Sequence, residues 1–194
     1  SMQVSAAIAN VVASENMGFG VQLSALDVNA ATLKDVVANG NVGGVVLSAA
    51  NLVTGAKITN DKASGNQSVG IIIGGDSGVI GSKITRAFVT GNGTDGVRLQ
   101  GTKNVVQQVR ASGNGGAGIR LDAPGSGNTI EKSSTDANDG IAGIEIRTGN
   151  TGNVVQKNVS LANDGQDLQD GDASCAGNTW KQNVFQTRSD PCID

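Results

Sequence analysis

Gly96-Val97-Arg98-Leu99 and, 22 residues later, Gly118-Ile119-Arg120-Leu121 carry the pattern that decides the fold. The same phrase, glycine then apolar, variable, apolar, stands at Gly20-Val21-Gln22-Leu23, Gly44-Val45-Val46-Leu47, Gly70-Ile71-Ile72-Ile73 and Gly143-Ile144-Glu145-Ile146. Gly165-Gln166-Asp167-Leu168 reads as a weaker seventh copy. The glycines are spaced 24, 26, 26, 22, 25 and 22 residues apart, a period that marks a stacked repeat. A second phrase interleaves with the first: an apolar residue lies 10 to 13 positions before each glycine, at Ile8, Leu33, Ile58, Ile84, Val106, Ile130 and Val155, and Trp180 follows with no glycine after it. Each repeat thus reads as two short alternating strands separated by Gly, Asn, Asp and Ser. Connections this short wind a chain into coils whose strands stack about 4.8 Å apart, so matching positions form ladders along the axis.

Asparagine marks the corners. Asn16, Asn66, Asn92 and Asn114 each precede the glycine of their repeat by four residues, and Asn104, Asn128, Asn153 and Asn178 precede the second apolar phrase by two. Asn tolerates left-handed backbone angles, and its amide both donates and accepts, so stacked amides can bond from coil to coil. Composition agrees: of 194 residues 29 are glycine and three phenylalanine, with one tryptophan and neither tyrosine nor histidine, as a narrow coil core demands. One domain spanning 1–194 is expected, with 38% hydrophobic residues to fill it. The net charge is −3 with basic residues scattered along the chain, so nucleic acid is not an expected partner. No run of eighteen apolar residues offers a membrane span.

The Asn-apolar-apolar, Ser/Thr-Gly-Asn and Gly-Ile-x-Leu phrases together resemble the right-handed parallel β-helix proteins of the pectate-lyase-like superfamily, from about Val4 to Phe185. The resemblance implies an all-β fold: a single-stranded right-handed parallel β-helix, or solenoid, of about seven to eight coils with little or no helix. Polysaccharide lyases, hydrolases and epimerases share this fold, and so do phage tail proteins and adhesins. The tail from Cys175 to Phe185, closing on Pro191-Cys192-Ile193, is similar to the terminal coil of secreted bacterial members. In those a disulfide joins the cysteines, which implies an oxidising compartment and a contribution of about 3 kcal/mol. Free thiols or metal ligation are the alternatives, although zinc asks for four Cys or His ligands and only these two exist. Trp180 and Phe185 are expected to plug the C-terminal end. Val4-Ser5-Ala6-Ala7-Ile8 already matches the register of Gly81-Ser82-Lys83-Ile84, so the chain reads as the C-terminal part of a longer secreted protein, with Ser1-Met2 a cloning scar. A complete small protein capped by an oligomeric partner is the alternative.

Within Gly-apolar-x-apolar the apolar residues point inward and x points outward. Read down the stack, x gives Gln22, Val46, Ile72, Arg98, Arg120, Glu145 and Asp167, and the next outward column gives Ser24, Ser48, Gly74, Gln100, Asp122, Arg147 and Gln169. Arg98, Arg120, Asp122, Glu145, Arg147 and Asp167 therefore share a face. They form either a groove for an acidic or polyhydroxylated glycan, with arginine forks gripping carboxylates and Asp122 or Glu145 as acids, or a solvated ion-pair ladder worth under about 1 kcal/mol per pair. Val46 and Ile72 make a patch calling for a cover, whether a loop, an upstream segment or a second copy. Asp164, Asp167, Asp170 and Asp172 are the calcium candidates, since calcium takes six to eight oxygens, though their spacing matches no strict calcium loop. Without histidine the commonest general base is missing. The histidine-bearing motif of polygalacturonase-like members and the Tyr- and His-containing motif of alginate epimerases are both absent, while the calcium-and-Arg/Lys arrangement of pectate lyases stays open. The expectation is a non-catalytic extracellular β-helix recognising a polysaccharide or surface partner. A lyase or hydrolase using the ladder is the alternative, and a phage tail or adhesin fibre segment a third reading.

Overall fold

A computed structural model describes residues 3–194, so the expected scar at residues 1–2 lies outside the described residues. The chain winds into a right-handed parallel β-solenoid of about seven turns. Three sheets run its length. The first has eight strands, from Ala7–Ala9 to Thr179–Lys181, and holds the Asn-apolar-apolar phrases. The third has seven, from Phe19–Ala25 to Gln166–Asp170, and holds the glycine phrases. Between them lies a seven-stranded second sheet, from Val12–Ser14 to Val159–Leu161, that the two-strand reading of the repeat does not contain. Its strands are three residues long with one inward residue each, and that residue is often small or polar: Ala13, Ala38, Ala63, Ala111, Thr135, Ser160. Such strands carry no apolar alternation to read. Among the described residues there is no α-helix, only a 3-10 turn at Ala173–Gly177.

Pairing is parallel and in register from coil to coil: Val45, Ile71, Val97, Ile119, Ile144 and Leu168 form one inward column, and Leu33, Ile58, Ile84, Val106, Ile130, Val155 and Trp180 form another. These residues are almost entirely buried. Three bends per coil let so narrow a core close, and each bend uses a residue in the left-handed region; in the fourth coil these are Gly81 (φ 66°), Arg86 (φ 55°) and Gly91 (φ 62°).

The asparagine ladder is longer than its sequence spacing indicates. Asn16, Asn41, Asn66, Asn92, Asn114, Asn138 and Asn163 bond in succession, each donating its backbone N–H to the next side-chain oxygen at 2.9–3.1 Å. The phrase glycine follows from this ladder. A Cβ at Gly96 would lie 2.8 Å from Asn114 Nδ2 and 2.6 Å from the Gly118 carbonyl, closer than a methyl group tolerates. A second ladder runs Ser82, Asn104, Asn128, Asn153, Asn178, and a shorter third runs Ser133, Asn158, Asn183.

A ladder of donors needs an acceptor at its end. Asp167 ends the first: it accepts from Asn163 Nδ2 at 2.9 Å and from the Gln186 and Thr187 backbone. Asp170 ends the second, accepting from Asn178 Nδ2 at 3.0 Å and Trp180 Nε1 at 2.9 Å. The C-terminal end is closed by buried Trp180 and Ile193, half-buried Phe185 and the Cys175–Cys192 disulfide, which excludes the free-thiol and metal-ligand alternatives for these cysteines.

Candidate functional site

The outward face of the third sheet carries the charged residues. Arg98 and Arg120 are paired in register, Arg120 opposes Glu145, and Gln100 opposes Asp122. The register corrects one assignment. Ile144 pairs with Leu168 and Glu145 with Gln169, so Gln169 and not Asp167 continues the outward column. Asp167 faces inward as the end of the ladder and takes no part in the charged face. The glycine of the weak seventh copy sits two residues out of step, because this coil replaces an inward apolar side chain with Asp170 and an inward glycine with Asp167.

Asp122 is the hub of the remaining five residues. The Arg98 Nε donates to its Oδ2 in a charge-assisted hydrogen bond. Arg120 Nε lies 3.2 Å and Arg147 Nε 3.6 Å from its Oδ1. The Arg120 approach is misaligned, so it acts as a charge contact without a hydrogen bond. Arg147 Nε also donates to Glu145 Oε1 at 3.2 Å. Arg120 is itself held by Asp95, with Nη1 3.0 Å from Oδ1 and Nη2 2.6 Å from Oδ2. Asp95 lies in the turn before the third-sheet strand of the coil above, and its Oδ1 also accepts the Ala117 backbone N–H. Sequence reasoning misses it because it belongs to neither outward column, and no spacing signal marks it.

The exposures divide these groups by role. Arg120 is 15% exposed at its side chain and Asp95 4%, so this bidentate pair is part of the wall. Arg98 and Arg147 are 44% and 47% exposed. Each is tied through Nε, and among the described residues neither donates a hydrogen bond from its Nη nitrogens. Two guanidinium forks are thus fixed in direction with free ends. They line a cleft of about 540 Å³ together with Gln100, Asp122, Glu145, Thr148 and Gln169. Beyond Arg98 a second cleft of about 510 Å³ continues over Ile72, Val46, Val69 and Phe19. Val46 points outward as expected yet is only 7% exposed. The chain's own Phe19 and Val69 line the same cleft.

The four calcium candidates do not assemble. Asp167 and Asp170 are turned inward and occupied by protein donors, and Asp172 Oδ2 accepts the Gly149 N–H at 2.8 Å. Among the described residues no three of these four carboxylates lie within 4.8 Å of one another. Burial acts to raise the Asp167 pKa, but the Asn163, Gln186 and Thr187 donors outweigh it and hold the carboxyl below its ordinary value. An anion stabilised by N–H donors is the end of a hydrogen-bond ladder and does not fit a calcium shell, which needs free oxygens.

A right-handed parallel β-solenoid is the architecture of the right handed beta helix region proteins. That family's model matches residues 49–193, and the chain belongs to the family. Among solved structures it is similar to the A-module of the Azotobacter vinelandii mannuronan C-5 epimerase AlgE6, with a TM-score of 0.72 at 17% identity over 95% of this chain and 54% of that one. It is similar to the periplasmic alginate epimerase AlgG, at 0.67 and 12% over 92% and 44%, and to pectate lyase Pel9A, at 0.64 and 14% over 91% and 55%. At these identities the likeness is one of fold, and the chain spans about half the length of each. No curated protein sequence matches it. Among the described residues no helix is long and apolar enough to cross a membrane.

Proposed function

We propose that the third-sheet groove binds an acidic, uronate-bearing polysaccharide outside the cytoplasm. The observation that carries this reading is the pair Arg98 and Arg147, each tied by Nε to a carboxylate in the groove floor with its Nη nitrogens free. A guanidinium oriented in this way matches a carboxylate bidentately and loses little side-chain entropy on binding. Asp122 supplies the orientation. Three arginines surround its carboxyl, and these contacts hold the forks in place. Gln100, Thr148 and Gln169 offer neutral partners for hydroxyls. The disulfide supports the extracytoplasmic setting, and the names of the proteins that share the fold support the substrate class, since they specify alginate, mannuronan and pectate.

Turnover is the second reading, favoured by Glu145: it is nearly buried, borders the same cleft and contacts only one arginine. A lyase or epimerase reaction removes the proton next to the uronate carboxylate. Arg98 and Arg147 would neutralise that carboxylate, and Glu145 would exchange the proton. No imidazole or phenol occurs in this chain to share the task.

The double substitution Arg98→Ala/Arg147→Ala should weaken binding of polygalacturonate or alginate by about tenfold or more, the scale of lost charged hydrogen bonds. Calorimetric titration measures this, and unchanged affinity would refute the groove. Ultraviolet detection of unsaturated product and NMR of the sugar composition then separate the two readings. Turnover removed by Glu145→Gln establishes an enzyme, and binding with unaltered polymer a recognition domain.

A further inference from the structure

Lysine and arginine are scattered along the sequence, but stacking the coils sets five of them on the outer faces of the first and second sheets and the bend between them, away from the groove. Lys57 opposes Lys83 in the first sheet. Lys62, Phe88 and Arg110 succeed one another in register in the second. Arg86 occupies the bend between Lys83 and Phe88 with a left-handed backbone (φ 55°), which projects it from the corner. All five cations are exposed, and Phe88 is 47% exposed in their midst. Among the described residues none of the five has a carboxylate within ion-pair distance. Like charges opposite one another on adjacent strands repel and destabilise a sheet. Arg98, Arg120 and Arg147, in contrast, are closely paired around Asp122. A cationic patch around an exposed ring, on a protein of net charge −3, is a surface able to take an anionic ligand.

The geometry points to a second binding surface here, one that takes an acidic polysaccharide across coils three to five independently of the groove. One feature favours this ligand over duplex nucleic acid. The cations step from coil to coil by about 4.8 Å, a spacing suited to a polymer with one charge per sugar, whereas duplex DNA carries a charge every ~1.7 Å. Phe88 gives a sugar ring an apolar face to lie on, with Lys62 and Arg110 on either side to meet its carboxylate. A chain held on this surface raises the local concentration of polymer for the groove on the neighbouring sheet.

The test compares three proteins for binding to polygalacturonate by affinity electrophoresis and calorimetry at 20 and 200 mM salt: the wild type, Lys62→Gln/Lys83→Gln/Arg86→Gln/Arg110→Gln, and Arg98→Ala/Arg147→Ala. The patch variant should bind about tenfold more weakly at low salt, with a flatter salt dependence, and should melt at or above the wild-type temperature, because every changed side chain is exposed and a like-charge repulsion is removed. The groove variant should keep the steep, salt-sensitive component, and a short oligouronate should report the groove alone. Either result for the oligouronate leaves the polymer comparison readable, so failure of the groove reading and failure of this one are distinct. A patch variant that binds the polymer as the wild type does overturns the second surface. So does a wild type with no salt-sensitive binding, or one that prefers duplex DNA to polygalacturonate at equal salt.

Discussion

Asn114→Ala should destabilise the domain by about 4 kcal/mol, more than twice the effect of a typical substitution. Asn114 sits in the middle of the first ladder. Its side-chain oxygen accepts the Asn92 backbone N–H at 3.1 Å and Asn92 Nδ2 at 2.9 Å, and its own Nδ2 serves the Val89 carbonyl and Asn138. All of these groups are buried, so alanine leaves two donors and an acceptor without partners in a site that excludes water. Each stranded group costs about 1–3 kcal/mol. The same change at Asn16, the exposed first rung that only donates, should cost under about 1 kcal/mol. Chemical denaturation of the two variants decides the matter: equal, small losses would mean that the ladder is decorative. Gly96 packs directly on the Asn114 amide and immediately precedes the strand Val97–Gln100 that carries Arg98, so polysaccharide binding should weaken alongside stability in the inner variant.

The second large effect lies in the third ladder's column, at Asp61. One carboxylate oxygen accepts the Val36 N–H at 2.9 Å, and the other is buried with no partner. The coil below offers Ala87 at this position, whereas later coils place Ser133, Asn158 and Asn183 here. Burial pushes the Asp61 pKa from 3.8 up to about 6; the Val36 N–H acts to lower it, and the nearby Asp35 charge adds to the rise. The folded state therefore holds this proton more tightly than the unfolded chain. Below about pH 4 the group costs nothing, the penalty grows as the pH rises towards about 6, and above that it is constant. At full burial such a shift is worth about 3 kcal/mol, and solvent relaxation around the carboxyl reduces it to about 2. Asp61→Asn removes the charge, and its Nδ2 can donate to the Leu33 carbonyl as Asn158 Nδ2 does to that of Ile130. Thermal melts of the two proteins should coincide near pH 4 and separate by about 4–8 °C at pH 7, the variant the more stable. Parallel curves from pH 4 to 8 would contradict this account.

Much of the groove was legible because a β-strand has period two and the coils stack in register. Once Gly-apolar-x-apolar recurs, Arg98, Arg120, Asp122, Glu145 and Arg147 must share a face. The last coil misled because Asp167 and Asp170 occupy inward positions, and no alternation rule sends a carboxylate to the core. Only the hydrogen bonds of two ladder ends make that favourable. The second sheet was invisible for the opposite reason, since one small inward residue per strand leaves no pattern. Asp95 was missed because its bond to Arg120 crosses from a turn in one coil to a strand in the next.

The sequence by itself determined the repeat, its length, the inward and outward columns and the chemistry placed on them, since each depends on local geometry repeated about every 25 residues. The tertiary structure alone decided which charges meet. Asp122 holds Arg98 and Arg147 with their forks free, Asp95 takes Arg120 out of play, two aspartates become ladder ends, and lysines far apart in the chain come to lie beside one another. The physical reason is that a coil stack sets residues some 25 positions apart about 4.8 Å from one another, and electrostatic interaction depends on that distance rather than on separation along the chain.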